Sequence, residues 1–118
     1  MDAIQVNELK TSYYKYITNV PQGLKIIINF LAENEMEKAF NSIADLAEGL
    51  SFLLKVEDAF KEQNILINSR ITEAATIFNE LNDSLVNEDY ILLKDLIEYE
   101  LLPVFDSASE WTFQEEVK

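Results

Sequence analysis

The feature that most constrains this chain is a hydrophobic period of three and a half residues. Met36, Phe40, Ile43, Ala47, Leu50 and Leu54 follow at steps of 4, 3, 4, 3, 4, and Ile67, Ile71, Ala74, Phe78, Leu81 and Leu85 repeat them. Such spacing lays one apolar stripe along one side of a helix, and stripes of this kind pack at shallow angles in bundles. Each run covers fewer than three heptads, which favours a short bundle over an extended coiled coil. Only two Gly and two Pro occur in 118 residues, and no cluster of β-branched residues alternates strictly, so helices are expected throughout.

Two further stripes lie upstream: Leu9, Tyr13, Tyr16 and Ile17, then Val20, Leu24, Ile27 and Leu31, with Pro21 between them. Asn19 as a cap with Pro21 in the first turn would start a new helix, leaving residues 1–20 as a separate N-terminal helix. One helix kinked at Pro21 is the alternative. Glu33-Asn34-Glu35 predicts a turn in which Asn34 caps the next helix. Gln63-Asn64 ends that helix, and Asn87-Glu88-Asp89 closes the following one and makes an acidic cap. The last helix carries Leu93, Ile97, Leu101, Val104, Ala108 and Trp111 on one side. Pro103 inside it removes the bond to the Tyr99 carbonyl and predicts a kink. The expected fold is therefore all-α and a single domain over 1–118. It is an antiparallel four-helix bundle with an additional N-terminal helix, a Pro-kinked last helix and a frayed tail at 114–118. A faint repeat, Phe40-x-x-Ile43-x-Asp45-Leu46-Ala47-Glu48 against Tyr90-x-x-Leu93-x-Asp95-Leu96-Ile97-Glu98, raises the possibility of a duplicated hairpin.

Composition narrows the chemistry. Cys and His are both absent, which removes disulfides, thiol nucleophiles, Cys- or His-ligated metals and the imidazole base of the common hydrolases. Two glycines cannot build a phosphate cradle. Arg70 is the sole arginine, and the formal charge of −13 opposes nucleic acid and anionic membrane surfaces as partners. No catalytic residue and no cofactor is expected. The apolar share of 48% with 11% aromatic residues supplies a core despite the acidity. The N-terminus shows no basic region followed by an apolar stretch, and the longest apolar run, Ile26 to Ala32, is far too short for a bilayer. A cytoplasmic protein is expected.

Four features could carry function. Asp45 with Glu48, and Asp95 with Glu98, are i, i+3 pairs that share a helix face. Pairs meeting across a bundle could hold a hard cation, but a solvated face is the simpler reading and no metal is assigned. Tyr13, Tyr14 and Tyr16 span most of a helical turn, so at least one, Tyr14 above all, is partly exposed and suits a contact surface or the end of a core. Residues 89–103 bear more apolar groups than one bundle stripe requires, so this helix is either central or has a second surface to bury. Gly49 within a helix costs about 1 kcal/mol relative to Ala, which close packing of a neighbour would explain.

The wording Asp-Tyr-x-Leu-Leu-x-Asp-Leu-Ile-Glu-Tyr-Glu-Leu-Leu-Pro at 89–103 resembles that of short acidic helical proteins of Gram-positive bacteria without an assigned function. Leu31-Ala32-Glu33-Asn34-Glu35-Met36-Glu37-Lys38-Ala39, running on to Leu50-Ser51-Phe52-Leu53-Leu54, more loosely resembles the flagellin export chaperones. That likeness implies a four-helix bundle, which in those chaperones binds a helix-forming tail along its surface. No binding residue is carried over from it.

The function expected from the sequence is a non-catalytic adaptor or chaperone-like binder. It would receive a basic or amphipathic helix, or a second copy of itself, on an apolar strip with an acidic rim. Tyr14, Tyr90, Leu92, Tyr99, Leu102 and Trp111 are the expected contact residues. The acidity is skewed: residues 1–59 hold five basic and nine acidic residues, and residues 60–118 hold four and thirteen. An acidic mimic of nucleic acid and a purely structural homodimer are the alternatives.

Overall fold

The structure, a computed structural model, describes residues 2–115. Helix α1 (Ala3–Ala32) starts with a capping box: Asp2 accepts from the Gln5 N–H at 2.8 Å, and the Gln5 side chain accepts from the Asp2 N–H at 3.1 Å. The helix then runs unbroken through Pro21. The expected boundary at residue 20 is therefore corrected. Asn19 does not cap; its Nδ2 donates to the Lys15 carbonyl at 2.9 Å, within the same helix. Val20, Leu24, Ile27 and Leu31 continue the buried stripe of Tyr13 and Ile17, and burying this one long face offsets the bond that Pro21 forgoes.

Helix α2 (Met36–Glu62) returns along α1. The turn between them is a Schellman motif: Asn34 adopts a left-handed φ of 58°, its N–H reaches the Leu31 carbonyl, and Glu35 N–H reaches that of Phe30. Asn34 thus terminates α1 and does not cap α2. A left-handed residue also ends the next two helices, Asn64 at φ 60° and Glu88 at φ 55°, and at Glu88 both bonds of the Schellman motif recur. The 30 residues of α1 span about 45 Å at 1.5 Å each, and the hairpin sets the long axis of a molecule measuring 52 × 21 × 20 Å.

Beyond α2 the helical expectation fails locally. Residues Ile65–Asn68 form strand β1, and α3 (Ile71–Val86) begins four residues later than the stripe from Ile67 predicted. Strand β2 (Thr112–Glu115) pairs with it antiparallel, in the register Ile65↔Glu115, Leu66↔Gln114, Ile67↔Phe113, Asn68↔Thr112. The fold is thus mostly helical with a small two-stranded sheet. The expected fray from residue 114 is corrected for residues 114 and 115; residues 116–118 lie outside the described part.

The last helical run is composite: α4 (Tyr90–Asp95), a π-helical turn (Leu96–Leu101), α5 (Leu102–Asp106) and a 3-10 turn (Ser107–Glu110). Leu102 N–H bonds to the Ile97 carbonyl, five residues back. The widened turn directly precedes Pro103, whose ring in a regular α-helix would press on the carbonyl of Tyr99. Helices α1, α2, α3 and the composite run pack in sequence order, and the composite run closes back on α1. Their shared core includes Tyr13, Leu24, Leu53, Phe60, Leu81, Leu93, Ile97 and Leu101. At one end Phe40 and Tyr90, matching positions of the faint repeat, meet with ring centroids 5.6 Å apart.

Candidate functional site

Several of the exposed large apolar residues lie where α3 gives way to α4 and along the run that follows. Glu88 and Asp89 donate their N–H groups to the Leu85 and Ser84 carbonyls, closing α3. The Asp89 carboxylate then accepts from Leu92 N–H at 3.1 Å and opens α4. This tight reversal turns Val86 (75% exposed) and Ile91 (80%) to solvent on its two sides, followed by Leu92 (44%) and Tyr99 (69%) along the same run. Leu92 and Leu96 line a shallow cleft of about 290 Å³ whose rim carries Glu80, Asp83 and Asp89. Among the described residues no Lys or Arg lines it; Lys94 pairs with Glu98 at 3.6 Å. An apolar floor edged by carboxylates can accept an apolar face flanked by cations.

Of the six expected contact residues, Leu92 and Tyr99 are exposed, Leu92 at this cleft. The other four are turned to internal use. Trp111 is 3% exposed, its Nε1 donating to Ser107 Oγ at 3.1 Å, while Ser107 Oγ donates to the Val104 carbonyl. Tyr14 is half-buried; its hydroxyl donates to the Trp111 carbonyl at 3.1 Å and its ring meets Phe113 edge-on at 5.1 Å. Leu102 is half-buried against the core and Tyr90 leans on Phe40. The apolar area of Trp111 is thus already covered, which corrects the expectation for it, while Tyr14, Tyr90 and Leu102 are partly covered. Val86 and Ile91 were not among the expected contacts. Ile91 lies off the a/d stripe of its helix, and that departure is the sequence signal for it.

The acidic pairs do not converge. Asp45, Glu48 and Asp95 are exposed, and Glu98 faces Lys94. Among the described residues no group of three or more acidic side chains could hold a metal ion.

A second polar cluster is internal. Tyr13, fully buried, donates to Glu57 Oε2 at 2.5 Å, and Ser69 Oγ donates to the same oxygen at 2.8 Å. Burial, joined by the adjacent Glu57 carboxylate, pushes the Tyr13 phenol far above its ordinary range. Burial also raises Glu57, against the opposing pull of its two hydroxyl donors. The phenol keeps its proton, and the cluster ties α1, α2 and the start of α3 together. At the chain's one arginine, Arg70 grips Glu73 through Nε at 2.6 Å and Nη2 at 2.9 Å, and Nη1 reaches Ser107 Oγ at 3.5 Å. That bidentate contact raises Arg70 and lowers Glu73 from their ordinary values.

Together these features define a mostly helical chain clasped by a two-stranded ribbon, with an acid-rimmed apolar corner. Residues 8–110 match a family described as "Domain of unknown function (DUF8042)", and the chain belongs to that family. The matched span runs from the first turns of α1 to the 3-10 turn and stops before β2. No curated protein and no solved structure matches the chain. No helix among the described residues is long and apolar enough to cross a membrane.

Proposed function

We propose that this chain is a non-catalytic protein-interaction module of the cytoplasm, built as a four-helix bundle, that receives a basic amphipathic helix on the corner between α3 and α4. The observation that carries the reading is the exposed Leu92 in a cleft shared with Glu80, Asp83 and Asp89, with Val86 and Ile91 exposed before and after the turn that bears Asp89. Exposed apolar groups rimmed by one sign of charge match a helix with an apolar face and cationic flanks: the apolar contact provides affinity and the rim selects the partner. The concentration of acidic residues in 60–118 supports the same side of the molecule. The looser likeness to flagellin export chaperones, which bind a helix-forming tail on a helical surface, agrees with this use. The absence of His and Cys supports a role in binding over one in chemistry.

The test uses two labelled amphipathic peptides that differ only in carrying Lys or Glu on the polar face. The Lys peptide is expected to bind the full chain in a salt-sensitive way. The double variant Ile91→Ser, Leu92→Ser should abolish that binding while keeping the wild-type circular dichroism spectrum. Equal binding of both peptides, or binding that survives the double variant, defeats the proposal.

A further inference from the structure

Both glycines of this chain lie inside long helices, and neither has the positive φ that favours glycine. A helix-interior glycine is a cost to the fold, so each calls for a reason. For Gly49 the reason is inside the molecule: the phenol end of Tyr16 lies where its Cβ would stand. For Gly23 there is none among the described residues, because a Cβ built there meets none of their atoms within 4 Å.

The space beside Gly23 belongs to a cleft of about 270 Å³ between α1 and α2, with Tyr16 among its lining residues. Four polar side chains border it: Tyr16, Asn19, Ser42 and Asp45. The Tyr16 hydroxyl, Ser42 hydroxyl and Asp45 carboxylate make no hydrogen bond or ion pair among the described residues, and Asn19 uses only its Nδ2. Besides the Asp45 carboxylate, the lining residues Tyr16, Asn19 and Ser42 each carry a side-chain oxygen, and among the described residues no Lys or Arg lines the cleft. Ile26, 46% exposed, and Leu46 supply the apolar walls. Burial and then the charge of Asp45 push the Tyr16 phenol upward, so it stays neutral beside the carboxylate. The volume sits just below the roughly 300–1,000 Å³ of drug-sized pockets, which selects a small ligand.

We propose that this cleft binds a small organic cation, a primary alkylammonium whose head sits at Asp45 and whose stem lies over Gly23 between Ile26 and Leu46. The ammonium brings three donors to a site of acceptors, and the stem occupies the space that a side chain at position 23 would fill. The site is separate from the corner between α3 and α4 and does not depend on it.

The experiment titrates hexylammonium chloride into the full chain and follows amide chemical shifts, with hexanol and hexanoate as controls. Saturable shifts at Gly23 and Asp45 are expected, with a dissociation constant on the order of 1 mM for so small a ligand. Asp45→Asn should weaken binding about tenfold, as expected for one lost charge-assisted contact. Gly23→Leu should abolish binding without lowering Tm, which separates loss of the site from loss of the fold. Equal binding of hexanol or hexanoate overturns the proposal, as does a fall in Tm for Gly23→Leu. Tighter binding of Nα-acetyl-lysine methylamide than of hexylammonium overturns it as well, by assigning the cleft to a lysine of a partner protein.

Discussion

Tyr14 donates a hydrogen bond of 3.1 Å to the carbonyl of Trp111, 97 residues further along the chain. The contact turns two aromatic residues that could have served a partner into the seat of the C-terminal strand. Phe113 completes the seat, its ring 5.6 Å from Tyr13, 5.1 Å from Tyr14 and 4.9 Å from Phe60.

Phe113 is accordingly expected to hold the clasp far more than the Tyr14 hydroxyl does. Phe113→Ala should cost about 2–4 kcal/mol, scaled down from a fully buried phenylalanine, and Tyr14→Phe about 1 kcal/mol. Urea titration measures both. Trp111 is the single tryptophan, so its emission should shift to the red in Phe113→Ala and stay in place in Tyr14→Phe.

The Tyr13–Glu57–Ser69 cluster predicts a pH dependence. Burial raises Glu57 in the folded state above the unfolded value of about 4.3, so folding favours its protonated form. The stability this provides is complete below the unfolded value and is lost as pH climbs through the folded one. Glu57→Gln keeps an acceptor for Tyr13 and removes the titration. The Tm of this variant relative to wild type should therefore rise as pH climbs above the unfolded value of about 4.3; a difference that shrinks as pH rises contradicts the assignment.

Glu88 closes α3 at φ 55°, a conformation that costs a residue with a Cβ about 1–2 kcal/mol. Glu88→Gly should stabilise the chain by about 1 kcal/mol. Asn34→Gly should gain less, since asparagine tolerates the left-handed region. Thermal denaturation of the two variants side by side decides the order.

Gly49 and Tyr16 should behave as one unit. Gly49→Ala drives a methyl group into the Tyr16 phenol and should destabilise by about 1–3 kcal/mol, the usual cost of overpacking. In a Tyr16→Ala background the same change should become stabilising by up to about 1 kcal/mol, because alanine is then simply the better helix former. A double-mutant cycle without this reversal of sign shows that the phenol does not need the glycine.

The helix from Met36 to Glu62, its end at Gln63-Asn64, the close of α3 at Asn87 and the cap at Asp89 could all be read from the sequence. Each rests on forces acting within a turn or two: apolar spacing, a polar residue at a helix end, a short acidic turn. Whether Pro21 breaks α1 was open for the opposite reason, since a long buried face decides it. The strand at Ile65–Asn68 was invisible because four residues carry little pattern and its partner begins at Thr112. Ile67 fitted the helical stripe at an ordinary spacing, and only pairing with Phe113 places it in a strand. The candidate surface divides the same way. Segment 89–103 announced surplus apolar area, and Leu92 and Tyr99 are exposed. The sequence therefore determined which segments coil and where the acid and the excess apolar groups lie, because those properties are local. The tertiary structure alone decided which aromatic residues close the molecule and which remain for a partner, because burial depends on contacts between residues far apart in the chain.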